Sequence, residues 1–247
     1  MLAANRRAQD ASGRVVEART RLFVFGPRTR LAASLLRSPW VREQSVVVIA
    51  RNAREREWAE STYADTESAV AGELERPGEP GPAALAIAGC ALGLVHPEAP
   101  ALAVDMDAVT RDVGMVEAIL AAYPETAVHV VFVSSILALS ASPRRGYYGG
   151  WKSVIEGALT AVVARYPRAV LSVLYPGRLV ARRTVRQPAS LLATSYSRLA
   201  AELVRTLRAG APTRRMIGAD ARLWLIVRGL AAGRTALGGT LGRDHVA

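Results

Sequence analysis

From residue 21 onward, short unbroken apolar runs alternate with longer stretches of helical periodicity. Arg21-Leu-Phe-Val-Phe-Gly26 is an apolar run closed by glycine and predicts a buried strand. Val46–Ala50, Ala83–Ala88 (closed by Gly89), Val128–Ser134 and Ala169–Leu174 repeat that signature, with the β-branched density of strands covered on both faces. Between them, leucines at helical spacing predict a helix over 29–38, ended by Ser38-Pro39. Further helices are predicted over 53–60, 66–76, 105–122 and 148–165, the last two ended by Tyr123-Pro124 and Tyr166-Pro167, with a Pro/Gly turn over 77–82. Strands alternating with helices of 10–18 residues define an α/β chain with a doubly wound parallel sheet flanked by helices. Residues 1–20 read as a mobile basic arm, and 21–247 as one domain without internal repeat or linker.

Composition narrows the chemistry. The chain has 247 residues, 51% hydrophobic, enough for one substantial core and too apolar for disorder. Cys90 is its only cysteine, which excludes a disulfide framework and a cysteine-rich zinc site. His96, His129 and His245 are scattered, so no metal is expected. No stretch of about 18 consecutive apolar residues occurs and the first 20 residues contain no apolar signal core, so a cytoplasmic protein is the expectation. Charge is unevenly placed: residues 1–164 carry a net −1, and 165–247 a net +12. That excess implies an anionic partner or an Arg-rich solvated surface. Of 32 basic residues only Lys152 is lysine. A composition so poor in lysine suggests a role for Lys152 that a planar, permanently charged guanidinium cannot fill.

In a doubly wound sheet the ligand crevice lies beyond the carboxyl ends of the strands. Val131-Phe-Val-Ser134-Ser135 delivers two hydroxyls there, and Tyr148-Gly-Gly-Trp-Lys152 begins 13 residues beyond Ser135. Tyr and Lys four apart share one helix face. An ammonium beside a phenol favours phenolate, and a serine hydroxyl can hold a carbonyl oxygen while the tyrosine moves a proton. Such an assembly suits interconversion of a ketone and an alcohol. Cys90 reads as a buried inert thiol, Ser140 and Ser142 as solvated loop residues, and Trp151 as a packing or interface residue.

These residues and their spacing resemble the short-chain dehydrogenase/reductase family over most of residues 21–220. The resemblance implies a single-domain Rossmann-type fold, with Ser135, Tyr148 and Lys152 as the catalytic set. Tyr175-Pro176-Gly177-Arg178 is similar to the family's turn beside the nicotinamide. Arg51, after the second strand, resembles the arginine of NADP-preferring members, and a guanidinium can pair bidentately with a 2′-phosphate. Asp65 resembles the acidic residue near the adenine, and Ile87-Ala88-Gly89 a reduced form of Asn-Ala-Gly. The implied cofactor is NADP(H), with Gly26, Arg28, Arg30, Arg51, Asp65, Gly89, Pro176 and Gly177 binding it. The chain departs from the pattern in its glycine-rich turn, which reads Gly26-Pro-Arg28-Thr-Arg30-Leu-Ala32 and keeps only the first glycine. The family's helix asparagine has no clear counterpart; Asp112 stands nearest its place.

The segment after Pro-Gly, Val180 to Ala211, would cover the substrate, with Arg182, Arg183 and Arg186 near its entrance. Met216–Leu230 reads as an apolar helix with Arg222, Trp224 and Arg228, suited to a membrane surface or a partner. There the chain loosely resembles reductases of polyprenyl-phosphate-linked keto-sugars. The partners expected are a carbonyl substrate, anionic or lipid-phosphate-linked, and further copies of the chain, as a homodimer or homotetramer, through helix 148–165, where Ile155, Leu159, Val162 and Val163 supply apolar surface. Nucleic acid is not expected. Two functions remain open: an NADP(H)-dependent oxidoreductase with Tyr148 as proton donor, and a non-redox protein of the same fold that has lost normal dinucleotide binding.

Overall fold

A computed structural model describes residues 7–9, 15–17, 20–63, 66–70, 84–90, 106–139, 146–181 and 192–227. Within the segment expected as an arm, β1 (Arg7–Gln9) pairs antiparallel with β2 (Val15–Glu17). The main sheet is built from β3 (Arg21–Phe25), β4 (Ser45–Ala50), β5 (Glu67–Val70), β6 (Leu85–Gly89), β7 (Val128–Val133), β8 (Ala169–Pro176) and β11 (Arg214–Ile217). Its order is β5-β4-β3-β6-β7-β8-β11, and every neighbouring pair is parallel. The chain crosses over between β3 and β6, which sets the switch point beside the end of β3. A separate two-residue parallel ladder joins β9 (Leu179–Val180) to β10 (Thr194–Ser195).

Alternation along the strands supplies two cores. Phe23 and Phe25 of β3 face one side with Ile87 and Phe132, and there meet α4 (Met106–Ala122) and α5 (Gly146–Ala164). Leu22 and Val24 face the other side, against α1 (Arg30–Leu36) and α6 (Tyr196–Ala209), which buries Leu199, Leu203 and Leu207. Pro39 opens the short helix α2 (Pro39–Arg42), its fixed φ suited to a first helical position. Helix α3 (Ala53–Thr62) starts at Asn52, whose side chain accepts the amide of Glu55 at 2.9 Å.

Four expectations change. Residues 67–70 of the predicted helix 66–76 form edge strand β5, because pairing with β4 satisfies a backbone that local propensity left undecided; 71–76 lie outside the described residues. The predicted apolar helix 216–230 begins instead as β11. Gly218, at φ 112°, ends the strand, and residues 219–227 (α7) are helical. Ile155, Leu159, Val162 and Val163 are not spare surface on α5: all four are buried in the core shared with the sheet and α4, and α5 exposes Ser153, Val154, Gly157 and Ala161 instead. Much of the segment assigned to covering the substrate is α6, a core helix, while Arg182, Arg183 and Arg186 lie outside the described residues.

The start of α5 rests closely on the 3₁₀ turn Ile136–Leu139 that follows β7. A Cβ at Gly149 would collide with the Leu137 carbonyl, whose carbon stands only 2.9 Å away, whereas Gly150 faces open space. Gly149→Ala is therefore expected to destabilise the fold by about 1–3 kcal/mol, the usual scale of overpacking. Gly150→Ala is expected to stabilise it by about 0.5–1 kcal/mol through helix propensity. Urea unfolding of the two variants checks the opposite signs.

Candidate active site at the carboxyl edge of the sheet

The turn after β3 is braced rather than open. Gly26 takes φ 69°, a conformation that favours glycine. The Thr29 hydroxyl donates to the Gly26 carbonyl at 2.9 Å and accepts the Ala32 amide at 3.1 Å, capping α1. The Arg28 guanidinium lies over the Trp58 ring, 5.6 Å from its centroid, and the Tyr63 hydroxyl donates to the Pro27 carbonyl at 3.2 Å. Arg30 is exposed at the first position of α1, and Ala32 is buried. The structure thus places Arg28 on α3 and leaves Arg30 in solvent.

After β4, the Arg51 amide donates to the Glu55 carboxylate at 2.8 Å, fixing the backbone where the side chain departs. The guanidinium, with 37% of the side chain exposed, reaches to 3.9 Å from the Asp112 carboxylate on α4. Asp112 is buried in the apolar row Val109, Val113 and Val116. A charged residue in such a row was the sequence signal that this position is more than packing.

The end of β7 carries Ser134 and Ser135, both buried. The Ser135 hydroxyl oxygen accepts the Leu137 amide at 3.2 Å, which leaves its proton to donate elsewhere. The buried Ser134 hydroxyl is without a hydrogen-bond partner among the described residues. From α5, Tyr148 is half-buried and Lys152, one turn on, is 2% exposed. The Lys152 ammonium donates to the Val133 carbonyl at 3.0 Å, two residues before Ser135, and stands 5.0 Å from the Phe132 ring centroid. Burial pushes its pKa down to about 7; the Asp112 carboxylate works against that fall, and the Arg51 guanidinium adds to it. Lys152, Asp112 and Arg51 are therefore one electrostatic unit.

Beyond β8, Gly177 lies so close to the Asp220 carboxylate that a Cβ would collide with it. The same carboxylate accepts the Arg178 amide at 2.6 Å. Asp220, unremarked in the sequence, thus ties the Pro176-Gly177 turn to α7. That helix exposes Leu223, Ile226 and Val227 beside Arg222. Gly89 is buried at the last position of β6, and Asp65 lies outside the described residues. Burial pushes the Cys90 thiol up to about 12 and the His129 imidazole down to about 4. His129 bonds the Ser172 hydroxyl at 2.8 Å between β7 and β8, a structural contact away from the carboxyl ends of the strands. Among the described residues, no helix is long and apolar enough to cross a membrane, and no group of three His, Cys, Asp or Glu residues could hold a metal ion.

No protein-family model and no curated protein matches the chain. Solved structures do. A short-chain dehydrogenase from Streptomyces avermitilis superposes with TM-score 0.63 at 15% identity, covering 92% of this chain and 99% of its own. The 3-oxoacyl-[acyl-carrier protein] reductase from Brucella melitensis gives 0.59 at 13% identity, over 81% and 90% of the two chains. BdcA, solved in complex with NADPH, gives 0.55 at 13% identity, over 81% and 94%. The fold is that of the short-chain dehydrogenases/reductases.

Lys152 gives a test that needs no substrate. Its pKa is 10.5 when unperturbed and about 7 in the folded chain, so between those values the unfolded state holds a proton that the native state has released. Stability then rises with pH across that window, by up to ~1.4 kcal/mol per pH unit from this group. Denaturant unfolding between pH 7 and 10 is expected to show that component in wild type and not in Lys152→Met.

Proposed function

We propose that the chain is an NADP(H)-dependent oxidoreductase that interconverts a ketone and a secondary alcohol. The observation that carries this reading is Lys152. The chain's one lysine is buried at the strand end that bears Ser135, on the helix face that bears Tyr148, and it is supported there by Asp112.

The residues at the crevice suit a phosphate-bearing dinucleotide. Gly26 provides a backbone turn without side-chain bulk at the switch point, and Gly89 and Gly177 keep two further strand ends small. Arg51 supplies a partly exposed guanidinium at the rim. NADPH, when bound, supplies the hydride. Ser135 donates its free proton as a hydrogen bond to the substrate carbonyl oxygen, and Tyr148 gives that oxygen a proton. Protonated Lys152 lowers the tyrosine pKa and so eases the transfer. Arg at 152 would keep the charge but not its compact placement against the Val133 carbonyl. The solved neighbours named as a reductase and as an NADPH complex are consistent with this chemistry.

A second reading, a non-redox protein on the same fold, draws on the braced turn. Arg28 is engaged with Trp58, Thr29 caps α1, and two family glycines are absent. Titration of the purified chain with NADPH separates the two, since the second reading expects no saturable binding.

Tyr148→Phe removes the proton and keeps the ring. Folding and NADPH binding are expected to persist, while turnover across a ketone panel, followed by NADPH oxidation, falls about 10²–10⁴-fold. Full activity in that variant would move the chemistry away from Tyr148.

A further inference from the structure

At the carboxyl edge of the sheet a buried carboxylate acts on two cations of different origin. Asp112 is on α4, the helix that links β6 to β7; Arg51 follows β4; Lys152 is on α5. In the sheet β4 and β6 stand on either side of β3, so the Arg51–Asp112 contact joins elements from both sides of the switch point. The two partners differ in freedom. Asp112 is 6% exposed and fixed in an apolar row, whereas Arg51 is 37% exposed and ends a long side chain. A buried carboxylate deprived of its cations is costly, so Asp112 retains a claim on Arg51.

We propose that Asp112 sets the chain's affinity for a 2′-phosphate: it holds Arg51 in the free protein, and the phosphate must take the guanidinium from it. This rests on the dinucleotide-binding reading above and adds to it a specificity-determining residue on α4. The Arg51 guanidinium answers both to Asp112 and to an arriving phosphate, so binding is an exchange of partners. The affinity for the phosphate is the difference between the two pairings. Asp112 touches no substrate in this account; it acts through Arg51.

The exchange also reaches Lys152. Among the described residues, Asp112 from α4 raises the pKa of that ammonium and Arg51 from the end of β4 lowers it. When a phosphate draws Arg51 away, Lys152 loses its repulsive neighbour and keeps its attractive one. Its protonated form is then favoured, which is the form the proposed proton transfer requires. Binding and chemistry are thereby linked through one carboxylate.

The probe is adenosine 2′,5′-bisphosphate, with adenosine 5′-monophosphate as the control that lacks the 2′-phosphate. In Asp112→Asn the bisphosphate is expected to bind roughly fivefold or more tighter than in wild type, the lower end of ordinary site coupling. The monophosphate is expected to change by less than about twofold, on the same scale of independent sites. In an Arg51→Ala background the Asp112→Asn gain is expected to vanish. A second measurement covers the case in which Asp112→Asn does not fold. Calorimetric binding of the bisphosphate to wild type in two buffers near pH 7 is expected to show proton uptake beyond that of Lys152→Met. Equal bisphosphate affinity in wild type and Asp112→Asn, or equal proton uptake in wild type and Lys152→Met, overturns the exchange while leaving dinucleotide binding intact. Failure of both the bisphosphate and NADPH to bind any of these proteins overturns the exchange and the reductase reading together.

Discussion

The site depends on burying one ammonium beneath the carboxyl edge of a parallel sheet. Taking Lys152 out of water costs several kcal/mol unless its donors and charge are met. Val133 meets a donor with its backbone carbonyl at the end of β7, and Asp112 meets the charge from an adjacent helix. Those two supports fix much else. Lys152 must sit one turn behind Tyr148, α5 must begin at the level of the β7 end, and Gly149 must be bare so that the turn after β7 can lie against the helix. The glycine that looks like a weakness in α5 is the contact that sets its depth.

Most of the sheet was legible because its strands are covered on both faces, and such strands write themselves as unbroken apolar runs. Val46–Ala50 and Val128–Val133 are of that kind, and the structure places both as expected. The two edge strands were not legible. Glu67-Ser-Ala-Val70 and Arg214-Arg-Met-Ile217 carry polar residues because each has only one neighbour strand. Pairing with β4 and β8, a tertiary event, is what makes them strands. The same limit applied to α5. Its apolar residues could be seen, but whether a second copy or the chain's own core covers them is decided by packing, and they lie in the core shared with the sheet and α4.

At the site, the residues that carry local spacing were the legible ones: Ser135, Tyr148, Lys152 and the Pro176-Gly177 turn. What spacing cannot reveal is who shares a charge with whom. Arg51 and Asp112 are 61 positions apart, yet their side chains stand 3.9 Å apart. Gly177 and Asp220 are similarly remote in sequence and pressed together in space. In both cases an oddity was visible: a carboxylate in an apolar helical row, and a glycine where a strand ends. Only the fold supplied the partner.

The glycine-poor turn and the arginine at the rim can be understood together. A glycine-rich turn holds a pyrophosphate mainly through backbone N–H groups at a helix start, a site that is nearly neutral and always ready. Here the Ala32 amide donates to the Thr29 hydroxyl and the Thr29 amide to the Gly26 carbonyl, so less of the backbone is offered. Positive charge at the crevice comes instead from side chains, and side-chain charge needs a counter-ion when no ligand is present. Asp112 fills that need for Arg51 and for Lys152 at once. On the dinucleotide reading proposed above, a crevice that trades backbone donors for guanidinium carries its own carboxylate, which then competes with the arriving anion. The departure at the turn and the buried aspartate on α4 belong, on that reading, to one way of meeting negative charge.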